Sequence, residues 1–490
     1  MSKKTRQTVT ILVLCVLLVG AGIGYYALIK HQTAQQKEEK ENENAGIELY
    51  SWDINEIEKI YFKSQKAEMT LVKEKEQWKK QDEKDFPLEQ NRVDAMLGAV
   101  AAISADKIAA EDVTDLEQYQ LAEPELLVQI QDSEGNQKTI AVGKESLAGG
   151  GRYAYCDDSS KVYIVTTSVF SNFDYTRTQL MEVPDIPAIT VEYITELKLD
   201  GKKQDFSAVY DENKSTYKHI YSWAIEDSYS KPVAGDRDAL MKLFANFTSL
   251  SLKERITYKG TDSELKRYGL KNPAHKIAIK YYEVDAGQTD TAAEDDTQKG
   301  SGKKKYKQLH LCIGNQNKDM TGYYVTIDGE KGVFLMETAV VESMVNITPM
   351  EYVYARFYVP NEAMLQSIDL KYQGKEYSMT LKQGKQDEET KEYTYTAQVN
   401  GKKVNAKNFR NAYNAFAEML IHAEIDKNVK VNGNETIASI IFHEKEKKIN
   451  MNIYPYDGKN FYRIEVDGVM EFVTSMSTVD SILNALVSVE

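Results

Sequence analysis

The chain has little of what holds small extracellular domains together. Its 490 residues include only three cysteines and nine prolines. Three cysteines cannot build a disulfide framework, so we interpret Cys156 and Cys312 as incidental or buried thiols. A bridge between them would join two units or two molecules, and nothing in the sequence demands it. The 42% hydrophobic and 28% charged content instead predicts a folded protein of about three domains.

The sequence also lacks the motifs of catalytic and metal sites. Its six histidines are scattered, and none forms a His-x-x-x-His or His-Glu-x-x-His pair. No Gly-x-Ser-x-Gly elbow occurs, and no cysteine has a histidine partner by motif. The segment from Gly143 to Ser146 resembles only the end of a phosphate-binding loop, and we interpret it as a turn. We therefore predict no catalytic residue, no cofactor, no metal and no enzymatic activity.

The chain also has fewer basic than acidic residues. The net charge is −14, and the first 30 residues hold Lys3, Lys4, Arg6 and Lys30 without any acidic residue, so the remainder is more acidic still. An acidic body repels phosphate backbones. The charge therefore excludes nucleic acid as a partner.

One long apolar run stands near the N-terminus. From Thr8 to Ile29 the chain has 22 residues without a charge, enough for a helix to cross roughly 30 Å of hydrocarbon. Basic residues precede this run and an acidic stretch follows it, so the positive-inside rule predicts a cytoplasmic N-terminus. We predict a tip and transmembrane anchor at residues 1–30, a polar stalk at 31–46, and a membrane protein whose bulk is extracytoplasmic. A cleaved signal peptide is the alternative, but the run is long and no small-x-small site follows.

A short signature recurs in the chain. Its members are Tyr119, Leu121 and Pro124 in the first copy and Tyr268, Gly269, Leu270 and Pro273 in the second. The two copies are offset by 149 residues. Three later pairs are offset by 171 residues: Gly143 and Gly314, Tyr153 and Tyr324, and Val162 and Val333. Constant offsets on either side of one length change indicate a duplicated unit with an insertion of about 22 residues.

Apolar periodicity gives each unit its elements. Short alternating runs are typical of strands, and Val93, Met96, Leu97 and Val100 form one face of a helix. The predicted fold class is α+β: an N-terminal transmembrane helix followed by two to three repeated units of antiparallel strands, each with an amphipathic helix and a short closing helix.

The unit boundaries follow from the same order of elements. We predict unit 1 at residues 47–188 and unit 2 at residues 189–360, with a disordered insertion at about 286–305. A degenerate third unit is predicted at residues 361–490, where the signature is missing.

The residue types of the signature predict a structural role. A tyrosine ends a short helix, Gly269 suits the left-handed position after it, and the proline starts a strand. Gln120 replaces that glycine in the first copy and should be slightly strained or capped in another way. Exposed aromatic residues are better functional candidates, and Tyr153, Tyr155, Tyr323 and Tyr324 form the predicted contact face.

The order of tryptophan strand, amphipathic helix, Tyr-Gly-Leu-x-x-Pro, Ile-Gly and Gly-x-Tyr resembles that of the bacterial domain-of-unknown-function family numbered 4340. The resemblance covers roughly residues 50–340 and is closest at residues 267–273. It implies a single N-terminal span, repeated extracytoplasmic units and a frequent association with ABC-2-type export systems. It therefore implies an accessory role, and it supplies no catalytic residue to transfer.

The expected function is that of a membrane-anchored extracytoplasmic scaffold, an accessory component of an ABC-type transport system that binds transporter subunits in the cell envelope. The first alternative is a module that binds an extracellular polymer, such as cell-wall glycan, through its tyrosines. The least favoured alternative is a hydrolase with a site assembled between units.

Overall fold

The computed structural model describes residues 46–147, 150–202, 204–210, 222–284, 304–386, 388–389, 391–431, 433 and 435–489. The chain divides into two compact units, Met1–Val183 and Pro184–Glu490. The predicted anchor, and the stalk up to residue 45, lie outside the described residues, as does the predicted insertion apart from Lys304 and Lys305. Within the described ranges, no helix is both long and apolar enough to cross a membrane.

The first unit contains one antiparallel sheet. Among residues 46–147 and 150–183 its strands are β1 Ile47–Ser51, β2 Ile57–Ser64, β3 Glu68–Glu74, β4 Gln77–Lys80, β5 Ala102–Ala110, β6 Leu126–Asp132, β7 Gln137–Glu145, β8 Arg152–Cys156 and β9 Val162–Val165. Their order across the sheet is β1-β5-β9-β8-β7-β6-β2-β3-β4. Helix α1, Gln90–Val100, follows β4, and the short helix α2, Ser168–Ser171, follows β9.

The second unit contains two further sheets. In the described part of residues 184–354 the second sheet has strands β10 Ile194–Gly201, β11 Phe206–Tyr210, β12 Trp223–Glu226, β13 Val233–Ala234, β14 Glu254–Thr257, β15 His275–Val284, β16 Lys304–Gln316, β17 Gly322–Ile327 and β18 Val333–Glu337. Their order is β13-β12-β11-β10-β15-β16-β17-β18-β14. Its helices are α3 Arg237–Phe244, α4 Asp262–Arg267 and α5 Thr338–Val345.

The third sheet completes the chain. Over the described positions from 361 to 489 its strands are β19 Leu365–Tyr372, β20 Lys375–Gln386, β21 Tyr393–Val399, β22 Lys402–Val404, β23 Ala423–Glu424, β24 Ala438–Glu444, β25 Lys448–Pro455, β26 Phe461–Val466 and β27 Val469–Ser475. Their order is β22-β21-β20-β19-β24-β25-β26-β27-β23. Helix α6, Ala406–Asn414, follows β22, and helix α7, Met476–Val487, follows β27.

The three sheets share one topology. Eight strands correspond in order, because β4-β3-β2-β6-β7-β8-β9-β5 matches β12-β11-β10-β15-β16-β17-β18-β14 and also β21-β20-β19-β24-β25-β26-β27-β23. An amphipathic helix interrupts each series at the same place, and a closing helix ends it. The described chain is therefore an α+β protein of repeated antiparallel units. The third copy lacks the sequence signature but keeps every shared strand.

Alternating side chains build the cores. In β2 the residues Ile57, Ile60 and Phe62 are fully buried, while their neighbours are half-buried or exposed. The matching helix face is Val93, Met96, Leu97 and Val100, which is buried as the helical spacing predicts.

Candidate functional site

The first copy of the signature is a tight chain reversal. Glu117–Tyr119 form a 3₁₀ turn, and Gln120 follows with φ 57° in the left-handed region. The N–H of Leu121 then donates to the carbonyl of Leu116 at 3.0 Å, and the Leu121 side chain is buried. The turn lies against β7, where a Cβ atom on Gly143 would overlap the carbonyl oxygen of Tyr119.

The second copy repeats this arrangement. Helix α4 begins with a capping box between Thr261 and Glu264, and Gly269 ends the turn with φ 76°. The N–H of Leu270 donates to the carbonyl of Leu265 at 2.7 Å. A Cβ on Gly314 would overlap the carbonyl oxygen of Tyr268. The signature tyrosine and the strand glycine are thus the two sides of one backbone contact, which joins Tyr119 to Gly143 and Tyr268 to Gly314.

The third copy makes its turn differently. At the position of the missing signature, the Asp426 carboxylate accepts the N–H of Asn428 at 2.8 Å. The N–H of Asp426 itself donates to the hydroxyl of Tyr456 at 3.0 Å. An Asx turn with a tyrosine partner therefore replaces the helix stop.

The predicted contact tyrosines lie on strands and are all half-buried. Tyr153 packs edge-on against Tyr119 with ring centroids 5.0 Å apart, and Tyr324 packs against Tyr268 at 4.4 Å. Burial raises the pKa of Tyr324, and the neighbouring Tyr268 adds to that shift. Tyr153 and Tyr324 are therefore equivalent residues that cover the signature tyrosines.

The other two tyrosines are not equivalent to each other. Tyr155 lies two residues after Tyr153 and shares its side of the first sheet, where both pack against the small cluster around Leu121. Tyr323 is adjacent to Tyr324, so it points to the opposite side of the second sheet, where it packs against the main core. Consecutive strand residues cannot share one face, so the four tyrosines do not form one repeated surface.

A second aromatic group was not predicted from the sequence. Tyr193 stacks on Tyr282 with ring centroids 4.8 Å apart, and Tyr282 meets Tyr306 edge-on at 5.9 Å. Tyr306 is 67% exposed, and the Lys304 ammonium lies 4.4 Å from the centre of the Tyr282 ring. We call Tyr193, Tyr282 and Tyr306 the tyrosine ladder. Its members come from a turn and two strands, and only the pairing of Tyr282 with Tyr306 in β15 and β16 brings them together.

Among the described residues, one histidine of the second sheet and one of the third each contact a carboxylate. His310 Nδ1 contacts the carboxylate of Asp328, and its Nε2 lies 2.8 Å from the side-chain nitrogen of Gln308. On the third sheet His443 Nε2 lies 2.7 Å from Asp369, whose other oxygen accepts a 3.4 Å contact from the hydroxyl of Ser378. The carboxylate separates serine from histidine there, so the imidazole does not reach the hydroxyl proton. Across the described ranges no three His, Cys, Asp or Glu side chains are grouped as metal ligands.

The second and third sheets meet at an apolar crevice. It is lined by Val233, Val353, Phe357, Ile421, Val469 and Phe472, with Tyr354 and Arg356 at its polar side. Hydrogen bonds fix its margin, since the Tyr229 hydroxyl donates to Glu424 at 2.8 Å and the N–H of Ser230 donates to Glu471 at 2.9 Å. Burial and the two glutamates raise the pKa of Tyr229. The described residues that line the crevice include no carboxylate pair for acid–base chemistry. We interpret it as a packed interface between the two sheets and call it the joint.

These features define a class: an α+β protein built from tandem copies of one antiparallel unit. The sequence matches the family model described as Domain of unknown function (DUF4340) over residues 78–230 and again over residues 223–432. The two matches span more than half of the chain, so the chain belongs to this family. No curated protein and no solved structure matches it.

The family matches do not coincide with the sheets. One match starts at Trp78 in β4 and the other at Trp223 in the equivalent strand β12. Each then continues through a linker into the strands of the next sheet. The sequence repeat of the family is therefore shifted along the chain relative to the structural repeat.

Proposed function

We propose that the chain is a membrane-anchored extracytoplasmic scaffold that serves as an accessory component of an ABC-type transport system. The observation that carries the scaffold role is the joint between the second and third sheets. Residues 354 and 355 of the linker bond to both sheets, since Tyr354 N donates to the Ala234 carbonyl at 2.8 Å and Ile421 N donates to the Ala355 carbonyl at 2.7 Å. Such a joint holds the second and third sheets in a fixed relation.

The membrane and transport parts of the proposal have other support. The uncharged run from Thr8 to Ile29, with basic residues before it, favours an anchor with the sheets outside the cytoplasm. Membership of the DUF4340 family supports an accessory role beside an ABC-2-type exporter, as the resemblance implies. An acidic exterior surface suits protein partners better than anionic lipid headgroups.

Crosslinking in intact cells tests the partner. The full chain is crosslinked and the captured proteins are identified, and we expect permease or ATPase subunits of one transporter. A matched chain with residues 8–29 replaced by an unrelated span of equal length separates contacts of the span from contacts of the sheets. Failure to capture any transport subunit while the anchor is intact contradicts the proposal.

Cysteine labelling tests the topology independently. Lys318 is exposed in the turn before β17, so Lys318→Cys in a chain with serine at the native cysteines presents one accessible thiol. A membrane-impermeant maleimide should label it in intact cells, whereas Ser2→Cys in the same background should be labelled only after lysis. The reverse pattern would place the sheets in the cytoplasm.

Polymer binding is the second candidate function, and the tyrosine ladder favours it. Exposed aromatic faces beside hydrogen-bonding groups suit sugar rings, and Gln308, His310 and Lys280 lie on the same strands as Tyr282 and Tyr306. We expect Tyr306→Ala to abolish any retention of the purified chain on cell-wall material. Tyr393→Ala, which removes a tyrosine that is 46% exposed on the third sheet, is the matched control. Equal retention of both variants counts against a glycan site at the ladder.

A further inference from the structure

The segment just before the amphipathic helix occupies the same place in each copy. It comprises residues 86–88, 233–235 and 402–404, and each is followed by the N-cap residue of the helix, which is Glu89, Asp236 or Asn405. In the second and third copies this segment is the outer strand of the sheet, as β13 pairs with β12 and β22 with β21. In the first copy the Gln90 side chain hydrogen-bonds to the outer backbone of Trp78 in β4, and the segment follows β4 as part of the connection to α1. The copies differ in what pairs with the outer edge of this segment.

In the first copy the chain covers this edge with its own linker. Leu88 and Met181 form an antiparallel bridge. The N–H of Glu89 donates to the Leu180 carbonyl at 3.0 Å, and the N–H of Glu182 donates to the Pro87 carbonyl at 2.7 Å. The linker therefore pairs in antiparallel fashion with the segment that precedes α1.

The second copy repeats these bonds atom for atom. Gly235 and Val353 form the bridge. The N–H of Asp236 donates to the Tyr352 carbonyl at 2.7 Å, and that of Tyr354 donates to the Ala234 carbonyl at 2.8 Å. Since the same donors and acceptors recur in two copies, pairing of the linker with this segment belongs to the repeat itself, and in the second copy it extends the sheet.

The third copy has the edge but no strand on it. Val399 and Lys402 close an Asn400-Gly401 turn with φ values of 50° and 80°, so Lys403 directs its N–H and carbonyl away from β21. Over the described positions of the second unit, no strand or bridge pairs with this side of β22. Lys402 and Lys403 are exposed, whereas residues 233–235 in the second copy are buried.

The two linkers indicate the chemistry of the missing strand. The bridging residues Met181 and Val353 are apolar and only 3% and 7% exposed. An acidic residue lies close to each of them in sequence, Glu182 in the first linker and Glu351 in the second. The vacant edge carries Lys402 and Lys403, and Lys407 follows in α6, which complements an acidic strand.

Charge also argues against self-pairing. If two copies of β22 met edge to edge, lysines of like charge would face each other, and edge lysines are a common means by which proteins prevent such pairing. We propose that β22 binds an extended, acidic and apolar segment of a partner protein by strand addition. The partner strand takes the place that the chain's own linkers take in the first two copies. This inference stands on the repeat alone and needs neither the anchor nor the transporter.

A peptide copied from the first linker tests the edge. Fluorescently labelled residues 178–185 are titrated with the purified full chain in detergent, and binding is followed by anisotropy. The same peptide with an N-methyl group on Glu182 lacks the N–H that bonds to Pro87 in the first copy. We expect saturable binding of the unmodified peptide, weakening with salt, and an affinity that is lower by about tenfold or more for the methylated one.

Substitutions at the residue after β22 locate the binding. Asn405 corresponds to Glu89 and Asp236, whose N–H groups donate to the linkers, so Asn405→Pro, at φ −67°, removes the equivalent N–H and should weaken peptide binding about tenfold or more. Asn405→Ala loses the same side-chain cap but keeps that N–H, and it should bind within about threefold of the unaltered chain. Melting curves check that both variants fold, and the methylated peptide still tests the edge if Asn405→Pro does not fold.

Three results would overturn the proposal. The peptide does not bind the full chain, or Asn405→Pro binds it as tightly as the unaltered chain, which would place the peptide on the edges of the first two copies. The third is a dimer in sedimentation that Asn405→Pro dissociates, which would make a second copy of the chain the occupant. None of these results decides whether the chain contacts a transporter, which the crosslinking experiment tests separately.

Discussion

The carbonyl oxygen of Tyr119 occupies the space that a Cβ atom would need on Gly143. The same relationship joins Tyr268 to Gly314, 171 residues after Gly143, and there the N–H of Asn315 also donates to the Tyr268 carbonyl at 2.9 Å. A turn and a strand that are distant in sequence are therefore in direct backbone contact. This contact explains why the signature and the glycine recur together.

Gly143→Ala should destabilise the first unit by about 1–3 kcal/mol, because the added methyl group must displace backbone rather than a flexible side chain. Gly98→Ala is the matched control. Gly98 lies in α1 with nothing near its missing Cβ, and alanine there should stabilise the same unit by about 0.5–1 kcal/mol. Thermal unfolding of both variants checks the pair. Equal effects of the two substitutions would contradict the backbone contact.

The residue after the signature tyrosine is Gln120 in the first copy and Gly269 in the second. We expect exchange of these residue types to change the stability of each unit. Gln120 adopts φ 57°, which costs a residue with a side chain free energy that glycine does not lose, so Gln120→Gly should stabilise the first unit by about 0.5–1 kcal/mol. Gly269→Gln should destabilise the second unit by at least about 1–2 kcal/mol, because its Cβ would also overlap the Asn315 side chain. Opposite signs in urea titrations are expected. The same sign for both exchanges would show that the left-handed backbone is not the cause.

Local patterns predicted the repeat well. The helix face at Val93 and Val100 and the alternating strands depend on residues close together in sequence, and the equal offsets from Gly143 to Gly314 and from Tyr153 to Tyr324 predict the duplication. The signature at Tyr268 also followed from local chemistry, since glycine at a helix end has a known conformation. The predicted four-tyrosine face conflicts with the alternation of side chains along a strand, which places the adjacent Tyr323 and Tyr324 on opposite sides of the sheet.

Non-local features were not predictable from the sequence. The third copy lacks the signature because Asp426 and Tyr456 build its turn instead, and its strand order is set by pairing between strands that are distant in sequence. The tyrosine ladder depends on the register that places Tyr282 beside Tyr306. Strand addition by the linkers uses backbone N–H and carbonyl groups, which leave no pattern of side chains to detect.

A buried hydroxyl network in the third copy should be important for stability. The hydroxyl of Tyr358 donates to Glu444 at 3.0 Å, so the 2.6 Å contact with Tyr413 has Tyr413 as the donor. Tyr358→Phe leaves the buried Glu444 carboxylate without this donor and should lower the free energy of unfolding by about 1–3 kcal/mol. Tyr393→Phe, at an exposed position, is the control and should have no measurable effect. Denaturant titration of both variants measures the difference.

The same network should make the second unit sensitive to alkali. Burial raises the pKa of Tyr358 and of Tyr413 above the ordinary value. Above pH of about 10 the unfolded tyrosines lose their protons while the folded ones keep them, so stability is complete below that pH and falls as pH rises further. Tyr358→Phe should reduce this fall, and unfolding curves between pH 8 and about 11 would show it. An unchanged pH dependence in the variant would mean that other tyrosines cause the fall.

The thiol of Cys156 is half-buried and should react slowly at neutral pH. Burial raises its pKa to about 12, and the carboxylate of Asp157 adds to the shift while Lys138 opposes it. Because the thiolate is the reactive form, alkylation by iodoacetamide at pH 8 should be at least about a hundredfold slower than for a free cysteine. Peptide mapping by mass spectrometry follows Cys156 separately from the other cysteines. Asp157→Asn should speed the reaction modestly, whereas Asp158→Asn, one residue further along the chain, should not. Alkylation of Cys156 at the rate of a free thiol in the folded chain would show that β8 does not shield it.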